Sequence, residues 1–416
     1  MLERLYKLST DALRVVPDTY LRPLYHSIDW EYPLTALLGS RGVGKTTLLL
    51  QRLQKLSLKP QEALYVDLGD IYFQQQRLID FVQLFMEKGG KYLFIDEVHR
   101  YGFGGDWAQE LKQVYDLYRQ QITIAFTGSS AIKILQQKAD LSRRVQQHAI
   151  PGLSFREYLV LKQQLSDLAP LSLTDILTDS TTITRDLLDR YQLQPLPILN
   201  AYLTHGYYPF GLESATGYLS RLNETVQLVL ESDIPSVLQS GEADYTKLGR
   251  LLYSVALSAP FKPNISKLSE RLGMSRETVL RYLKLLEEAN LLITLRATAK
   301  GMAALAKPDK VYLNNTNLLQ ALAPHEAMVG TVRETFVANQ LTYLTHEKHI
   351  VPTELRLPKT GDFALVHRDA TYLFEVGGPT KTRRQIGTDE HAYAIVDATV
   401  TDDPRRIPMW LFGLLY

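Results

Sequence analysis

The stretch "PLTALLGSRGVGKTTLLLQRL" (residues 33–53) decides how the first third of the chain folds. Its centre has the spacing G-x-x-x-x-G-K-[ST], filled by Gly39, Ser40, Arg41, Gly42, Val43, Gly44, Lys45 and Thr46. Glycines let backbone N–H groups point inward around a polyphosphate, while Lys45 reaches the β/γ oxygens and Thr46 holds Mg²⁺. An apolar run precedes the loop, and a helical pattern follows from Thr47. We therefore predict that residues 39–47 bind a nucleoside triphosphate with Mg²⁺.

Three further apolar runs follow at regular intervals, with helical patterns between them. They read "ALYVDL" (63–68), "KYLFIDE" (91–97) and "ITIAFTGSS" (122–130). This alternation of strands and helices predicts a parallel sheet. The second run ends in two acids, of which Asp96 is expected to hold Mg²⁺ through water and Glu97 to polarise the attacking water.

The third run ends in Ser129 and Ser130, for which two roles remain open. Either serine is a candidate sensor of the γ-phosphate, and either also suits a helix N-cap. A guanine-binding Asn-Lys-x-Asp motif is not matched, since the nearest string is "QKAD" at residues 137–140. The sequence therefore favours ATP over GTP.

Composition limits the other function classes. The 416 residues carry a net charge of +1, so any contact with nucleic acid must come from a local basic patch. There are no cysteines, which excludes disulfides, thiol catalysis and cysteine-bound zinc. The N-terminal sequence lacks the apolar core of a signal peptide, and no run of about 18 apolar residues occurs. We expect a cytoplasmic protein of several domains with no membrane partner.

Spaced motifs extend the argument beyond the P-loop. "LFIDEVHR" (93–100), "FTGSSAIKIL" (126–135) and "LSRRVQQHAIPGLSFREYL" (141–159) resemble the AAA-type ATPases of bacteria and archaea that carry a C-terminal domain of unknown function. The resemblance implies a helical lid and linker after the ATPase core. It also implies an arginine, Arg144 or Arg143, that completes the site of a neighbouring chain in a homo-oligomer. An interfacial salt bridge is the alternative role for that arginine.

A helix-turn-helix pattern lies in "NISKLSERLGMSRETVLRYLKLLEEANLLITLR" (264–296). Its first helix is apolar on one face, Gly273 turns the chain, and "LLITLR" suits a wing strand. The second helix exposes Arg276, Arg281 and Lys284. We expect either DNA binding through phosphate contacts or docking of a protein partner.

The last third raises the question of nuclease chemistry. A helix acid (Glu334) and two strand acids (Asp362 and Glu375) map onto the restriction-endonuclease-like core that the resemblance implies. Clustered carboxylates of this kind hold Mg²⁺, with a lysine beside them. Here Gly377 stands where that lysine is expected. Lys381 follows four residues later in a loop, where we expect its position to be poorly fixed.

These observations predict an α/β protein with four parts. They are an AAA-type P-loop ATPase core (1–155), a helical lid and linker (156–240), a winged helix (241–305) and a degenerate restriction-endonuclease-like domain (306–416). The favoured function is Mg²⁺-dependent ATP hydrolysis coupled to the C-terminal parts. The alternatives are a nucleotide-gated DNA-binding regulator with little turnover and an Mg²⁺-dependent nuclease.

Overall fold

The structure of the protein is a computed structural model. It describes residues 2–17, 20–103, 106–128, 141, 143–235, 244–297, 307–324, 328–346, 352–384, 387 and 389–416. The chain divides into two compact units, which are residues 1–151 with 231–243, and residues 152–230 with 244–416. The predicted division into four parts is finer than this and stays a prediction.

The first unit is built around a parallel sheet. Its strands are β1 (Leu34–Leu38), β2 (Ala63–Asp67), β3 (Tyr92–Asp96), β4 (Thr123–Gly128) and β5 (Gln146–Ala149). Its helices are α1 (Leu2–Arg14), α2 (Leu24–Ser27), α3 (Lys45–Leu56), α4 (Leu78–Glu87) and α5 (Trp107–Tyr118). The strand order is β2-β3-β4-β1-β5, and every pair is parallel. The predicted α/β class with a parallel sheet is confirmed.

The sequence of this unit accounts for its sheet. All five residues of β1 are buried, as expected for a parallel strand covered on both faces. Helices supply those covers, and Phe73, Phe81 and Phe85 form one packed aromatic group under the sheet. The parallel order brings the carboxyl ends of β1 and β3 to the same edge, where the P-loop and the two acids follow their strands.

The second unit begins with helices. They are α6 (Phe155–Gln163), α7 (Leu173–Tyr191), α8 (Pro195–His205), α9 (Phe210–Glu213) and α10 (Tyr218–Leu228). After α10 the chain forms a π-helical turn, Val229–Asp233, whose last residues belong to the first unit. The second unit resumes with α11 (Tyr245–Leu257), α12 (Ile265–Leu272), α13 (Arg276–Glu288), β6 (Leu292–Leu295) and β7 (Lys310–Leu313). No helix in the described ranges is long and apolar enough to cross a membrane.

The predicted helix-turn-helix segment forms the two helices α12 and α13 and the strand β6, which pairs with β7 as a hairpin. Ser275 caps α13 by accepting from the backbone N–H of Thr278, and Gly273 ends α12 at φ +60°. Strands β6 and β7 pair antiparallel. The hairpin therefore continues to Leu313, beyond the predicted boundary at residue 305. Its assignment as a winged helix stays a prediction.

A second sheet closes the chain. After α14 (Thr316–Leu322) and α15 (Val329–His346) come β8 (Thr353–Arg356), β9 (Phe363–His367), β10 (Ala370–Gly377), β11 (Ala392–Val396), β12 (Arg406–Pro408) and α16 (Met409–Phe412). The strand order is β12-β11-β10-β9-β8, with β10 parallel to β11 and antiparallel to β9. Helix α15 packs against β8 and β10. This places Glu334 of α15 beside the strand that carries Glu375.

The "LSFREYL" stretch has a structural role in this unit. Ser154 and Glu157 form a capping box at the start of α6. The buried guanidinium of Arg156 donates from Nε to the carbonyl of Tyr416 at 3.0 Å and from Nη1 to that of Leu168 at 3.0 Å. Ser154 Oγ donates to the same oxygen of Tyr416 at 2.6 Å. The signature therefore anchors the last residues of the chain.

Candidate functional site

The loop between β1 and α3 is shaped by its glycines. Gly42 has φ +85° and Gly44 has φ +93°, values in the left-handed region that cost an L-residue roughly 1–2 kcal/mol. At Gly39 an added Cβ would lie 2.2 Å from the carbonyl oxygen of Ile150. Only glycine suits these three positions. Helix α3 then begins at Lys45, so its first backbone N–H groups face the loop.

Lys45 is buried inside this loop. Its Nζ donates to the carbonyl oxygens of Gly39 at 3.0 Å and Ser40 at 2.8 Å. Burial lowers the pKa of Lys45 to about 8, against the opposing effect of Glu97 and Asp96. The ammonium of Lys45 is thus held where a polyphosphate would meet it. Because burial lowers its pKa, a bound phosphate would favour the protonated form.

Asp96 is the centre of a hydrogen-bond network. Its Oδ2 accepts from Thr46 Oγ1 at 2.8 Å and from the Tyr65 hydroxyl at 2.9 Å, and its Oδ1 accepts from Thr127 Oγ1. Tyr65 is a phenol whose pKa is raised by burial and by the charge of Asp96. The structure therefore brings together the predicted magnesium residues Thr46 and Asp96. Their oxygen donors suit Mg²⁺, which prefers carboxylate, hydroxyl, water and phosphate ligands.

Glu97 follows β3 in an unusual conformation. Its φ of +52° is rare for a residue with a side chain, and Thr127 Oγ1 accepts its backbone N–H at 3.1 Å. Glu97 Oε2 is buried and makes no hydrogen bond within the described ranges. A buried, unsatisfied carboxylate oxygen is costly unless a partner binds there. The residues present therefore fit Mg²⁺-bound ATP with a water near Glu97.

Asp233, which lies far along the chain from the P-loop, completes the surroundings of Glu97. Asp233 is fully buried, and its Oδ1 lies 3.0 Å from Arg41 Nη2. His99 Nε2 lies 3.6 Å from the same oxygen and 3.4 Å from Glu97 Oε2. Burial alone would raise the pKa of Asp233, but its interactions with His99 and Arg41 outweigh burial and lower it. Asp233 is thus held ionised beside the site.

The other predicted residues of the ATP site have mixed outcomes. Ser129 and Ser130 lie outside the described residues, so their sensor role stays a prediction. Arg144 forms a two-point ion pair with Asp116, with Nε–Oδ1 2.7 Å and Nη2–Oδ2 3.1 Å. Arg143 is exposed. The role of either arginine in a neighbouring chain's site stays a prediction.

Sequence reasoning missed three contributors to this site. Thr127 directly precedes Gly128 and the two serines, so its position at the end of β4 was a usable signal. Tyr65 sits in β2 next to β3, but only the strand order reveals that its hydroxyl reaches Asp96. Asp233 lies in a helical stretch with no motif around it, and no pattern in the sequence marked it.

In the second unit the structure brings the predicted acids together with two lysines. Lys310 Nζ lies 2.8 Å from Glu334 Oε2 and 3.7 Å from Asp362 Oδ1. The Tyr312 hydroxyl also donates to Glu334, at 2.7 Å. Burial, reinforced by Glu334, raises the pKa of Asp362. Lys310, which sequence reasoning missed, therefore lies between two of the three carboxylates.

Lys381 reaches back from its loop to one of the predicted acids, and how firmly it is held there stays a prediction. Its Nζ lies 2.6 Å from Glu375 Oε1, although β10 ends at Gly377 as predicted. An ideal Cβ on Gly377 would lie only 2.6–2.7 Å from the side-chain carbons of Lys381. The glycine thus provides the space through which the loop lysine reaches back to the strand acid. Glu375 is 1% exposed, and its Oε2 accepts no hydrogen bond from any described residue.

The three basic residues predicted to contact DNA are exposed on α13, as the helical pattern indicated. Lys284 is 3.7 Å from Glu288, a surface ion pair within the helix. The guanidinium carbon of Arg281 lies 5.9 Å from the centre of the Tyr282 ring. Arg276 begins the helix. Their spacing suits phosphate contact, and DNA binding stays a prediction.

Comparison with known proteins identifies two segments of the chain. Residues 31–159 match the family model described as "AAA domain", and residues 196–328 match one described as "Domain of unknown function (DUF8612)". A curated relative, an uncharacterized protein of Methanocaldococcus jannaschii, is 27% identical over 372 residues. The alignment covers 85% of this chain and 77% of the relative.

Two solved structures show weaker similarity. The ORC1 protein of Aeropyrum pernix, solved in complex with DNA, is 13% identical with a TM-score of 0.30, covering 78% of this chain and 91% of that one. AMPPCP-bound DnaA from Aquifex aeolicus is 15% identical with a TM-score of 0.26, covering 69% and 91%. TM-scores this low carry no argument about ligands or partners.

Proposed function

Because this chain carries an AAA-type P-loop domain followed by a domain of unknown function, we propose that it binds ATP with Mg²⁺ and hydrolyses it. The observation that carries the proposal is the meeting of Lys45, Thr46, Asp96 and Glu97 at one edge of the sheet, with Glu97 Oε2 buried and lacking a hydrogen bond. Hydrolysis needs a residue that orients the attacking water, and within the described residues Glu97 offers a free carboxylate oxygen for that task.

Each side chain has a defined task in this reaction. Backbone N–H groups of the P-loop and the Lys45 ammonium bind and orient the phosphates. Thr46 and Asp96 would hold Mg²⁺, which neutralises charge on the phosphate oxygens when bound. Glu97 orients a water and accepts its proton. Thr127 fixes both acids, since its hydroxyl donates to Asp96 and accepts from the backbone of Glu97.

Steady-state ATP hydrolysis of the wild type, Lys45→Ala and Glu97→Gln tests the proposal. We expect turnover in the wild type, loss of binding in Lys45→Ala, and retained binding with at least about 10²-fold slower turnover in Glu97→Gln. Wild-type turnover that survives Lys45→Ala unchanged would refute the site. We further propose that nucleotide state alters the second unit, which hydrogen exchange across the ATP cycle should detect.

A second candidate function is contact with duplex DNA through α13. It is favoured by the three exposed basic side chains Arg276, Arg281 and Lys284. The first test compares ATP turnover with DNA, with RNA and without nucleic acid. The second measures the affinity for DNA over a series of salt concentrations. DNA binding by phosphate contact should weaken steeply with salt, and charge reversal at Arg281 should flatten the slope. No effect of nucleic acid would favour docking of a protein partner instead.

We also propose that the acids of the second sheet support the fold and do not cleave nucleic acid. The proposal is supported by the ion pairs of Lys310 with Glu334 and of Lys381 with Glu375, which occupy carboxylate oxygens that Mg²⁺ would need. Incubation with plasmid and Mg²⁺ or Mn²⁺ is the test. Cleavage that Asp362→Ala abolishes would overturn this proposal and restore the nuclease alternative.

A further inference from the structure

Asp233 and Glu97 face the same two side chains, those of Arg41 and His99. The same Nη2 atom of Arg41 lies 3.0 Å from Asp233 Oδ1 and 3.7 Å from Glu97 Oε2. The same Nε2 atom of His99 lies 3.6 Å from Asp233 and 3.4 Å from Glu97. Two carboxylates therefore compete for one guanidinium and one imidazole.

The geometry shows which acid holds Arg41. A charge-assisted N–H···O bond has its heavy atoms about 2.7–2.9 Å apart, and contacts beyond about 3.5 Å are not hydrogen bonds. The Arg41–Asp233 contact at 3.0 Å is a hydrogen bond, and the Arg41–Glu97 contact at 3.7 Å is not. Asp233 is fully buried and held ionised by His99 and Arg41, so its charge persists as a competitor.

The competition matters because of what Glu97 must do. A carboxylate that already accepts a short ion-pair hydrogen bond is a weaker base and offers fewer lone pairs to a water. Glu97 Oε2 lies 3.7 Å from Arg41 Nη2 and 3.4 Å from His99 Nε2, and it makes no hydrogen bond within the described part of the chain. If Asp233 lost its charge, this carboxylate oxygen would lie within ion-pair distance of both Arg41 and His99.

We propose that Asp233 is a positioning residue of the ATP site, which holds Arg41 by a hydrogen bond and shares His99 with Glu97, so that Glu97 Oε2 stays available to the attacking water. The inference rests on the proposed ATP hydrolysis and adds a residue 136 positions beyond Glu97. Asp233 touches neither nucleotide nor water in this role. Its carboxylate acts through the side chains of Arg41 and His99.

The first test is Asp233→Asn, which keeps the shape and removes the charge. We expect kcat to fall about tenfold or more while the Kd for ATP changes less than about threefold, because capture of Glu97 impairs the base and not the phosphate loop. Asp233→Glu retains a competing carboxylate and should keep kcat within about threefold of wild type. Asp233→Glu also provides a test if Asp233→Asn does not fold. A tenfold loss of kcat in Asp233→Glu would overturn the proposal.

A rescue experiment separates positioning from simple support of the fold. In a protein that already carries Arg41→Gln and His99→Gln, neither of the two side chains that face Asp233 can form an ion pair with Glu97. Adding Asp233→Asn to that background should change kcat less than about twofold. An equal tenfold loss in both backgrounds would show a structural role and refute the proposal.

The outcomes for the two proposals are distinguishable. A wild type without any turnover overturns both the proposed hydrolysis and the role of Asp233. A wild type that depends on Lys45 and Glu97, with Asp233→Asn as active as wild type, overturns the role of Asp233 alone.

Discussion

Lys381 lies across Gly377, and its ammonium reaches the carboxylate of Glu375 at 2.6 Å. The side chain of Lys381 thus fills the space that a Cβ on Gly377 would occupy. Because a Cβ at residue 377 would meet Lys381 carbons at 2.6–2.7 Å, the ion pair requires a glycine there. The pair neutralises a carboxylate that is 1% exposed.

Gly377→Ala is therefore expected to destabilise the protein. The new methyl group displaces Lys381 and leaves Glu375 without its cation, at a cost of about 1–3 kcal/mol in the free energy of unfolding. Urea denaturation measures the loss. Gly378→Ala is the matched control, since its Cβ would meet only the Arg333 guanidinium, at 3.6 Å or more. Equal stability of the two variants would contradict this account.

Asp362→Asn should change stability with pH in a predictable direction. The folded state raises the pKa of Asp362, so its ionisation costs stability progressively as the pH rises from the unfolded pKa through the folded one. Asp362→Asn should therefore raise the free energy of unfolding more at pH 8 than at pH 4. Asp116→Asn has the opposite sign, because Arg144 lowers the pKa of Asp116. Denaturation curves at pH 4 and pH 8 measure the stability of both variants. A change of the same sign with pH in both would refute the prediction.

Affinity for ATP should depend on pH through Lys45. With its pKa at about 8 in the free protein, the ammonium deprotonates above that value, and phosphate binding must then take up a proton. Affinity is expected to weaken by up to about tenfold per pH unit above pH 8. Titrations from pH 7 to 9.5 measure it. Lys45→Met should bind weakly with little change over this range, and a flat profile in the wild type would be the contrary result.

Thr127→Val should slow turnover more than it weakens ATP binding. The substitution keeps the shape but removes the hydroxyl that donates to Asp96 and accepts from the Glu97 backbone. Loss of one such buried hydrogen-bonding group costs about 1–3 kcal/mol, and a loss of that size in the transition state lowers kcat by about 5- to 150-fold. Thr127→Ser keeps the hydroxyl and should remain close to wild type. Equal activities of the two variants would remove Thr127 from the site.

Arg156→Ala should destabilise the second unit strongly. The substitution removes the donor to the carbonyl oxygen of Leu168 and one of the two side-chain donors to the oxygen of Tyr416, at about 2–4 kcal/mol. Arg185→Ala removes an exposed ion pair with Asp402 and should cost less than about 1 kcal/mol. Urea denaturation compares them. A loss at Arg156 no greater than at Arg185 would contradict the anchoring role.

Local patterns predicted the ATP site well because its parts follow their strands directly. The glycine spacing fixes the loop, and the parallel sheet brings Asp96 to Thr46 at 2.8 Å. The contributors that sequence reasoning missed depend on long-range packing. Asp233 meets Arg41 across 192 residues of chain, and no periodicity reports such a contact.

The acid cluster of the second sheet shows a different limit. The pattern placed Glu334 on a helix and Glu375 on a strand correctly. The motif expects the lysine two residues after Glu375, and the position of a lysine four residues later, in a loop, is expected from the sequence to be poorly fixed. Lys310 comes from β7, an element outside the motif altogether. Side-chain reach, which spacing rules ignore, decides both contacts.

The return of the chain at Asp233 has a practical consequence for dissecting the molecule. A fragment ending at residue 155 would hold every residue of the P-loop and both acids of β3, and would look complete by motif. It would nevertheless lack the anion opposite Arg41, because that anion is encoded some eighty residues downstream. Kinetic measurements on such a fragment would describe a site in which Arg41 has lost its hydrogen bond to Asp233. Only a protein that extends through Asp233 can report the behaviour of the native one.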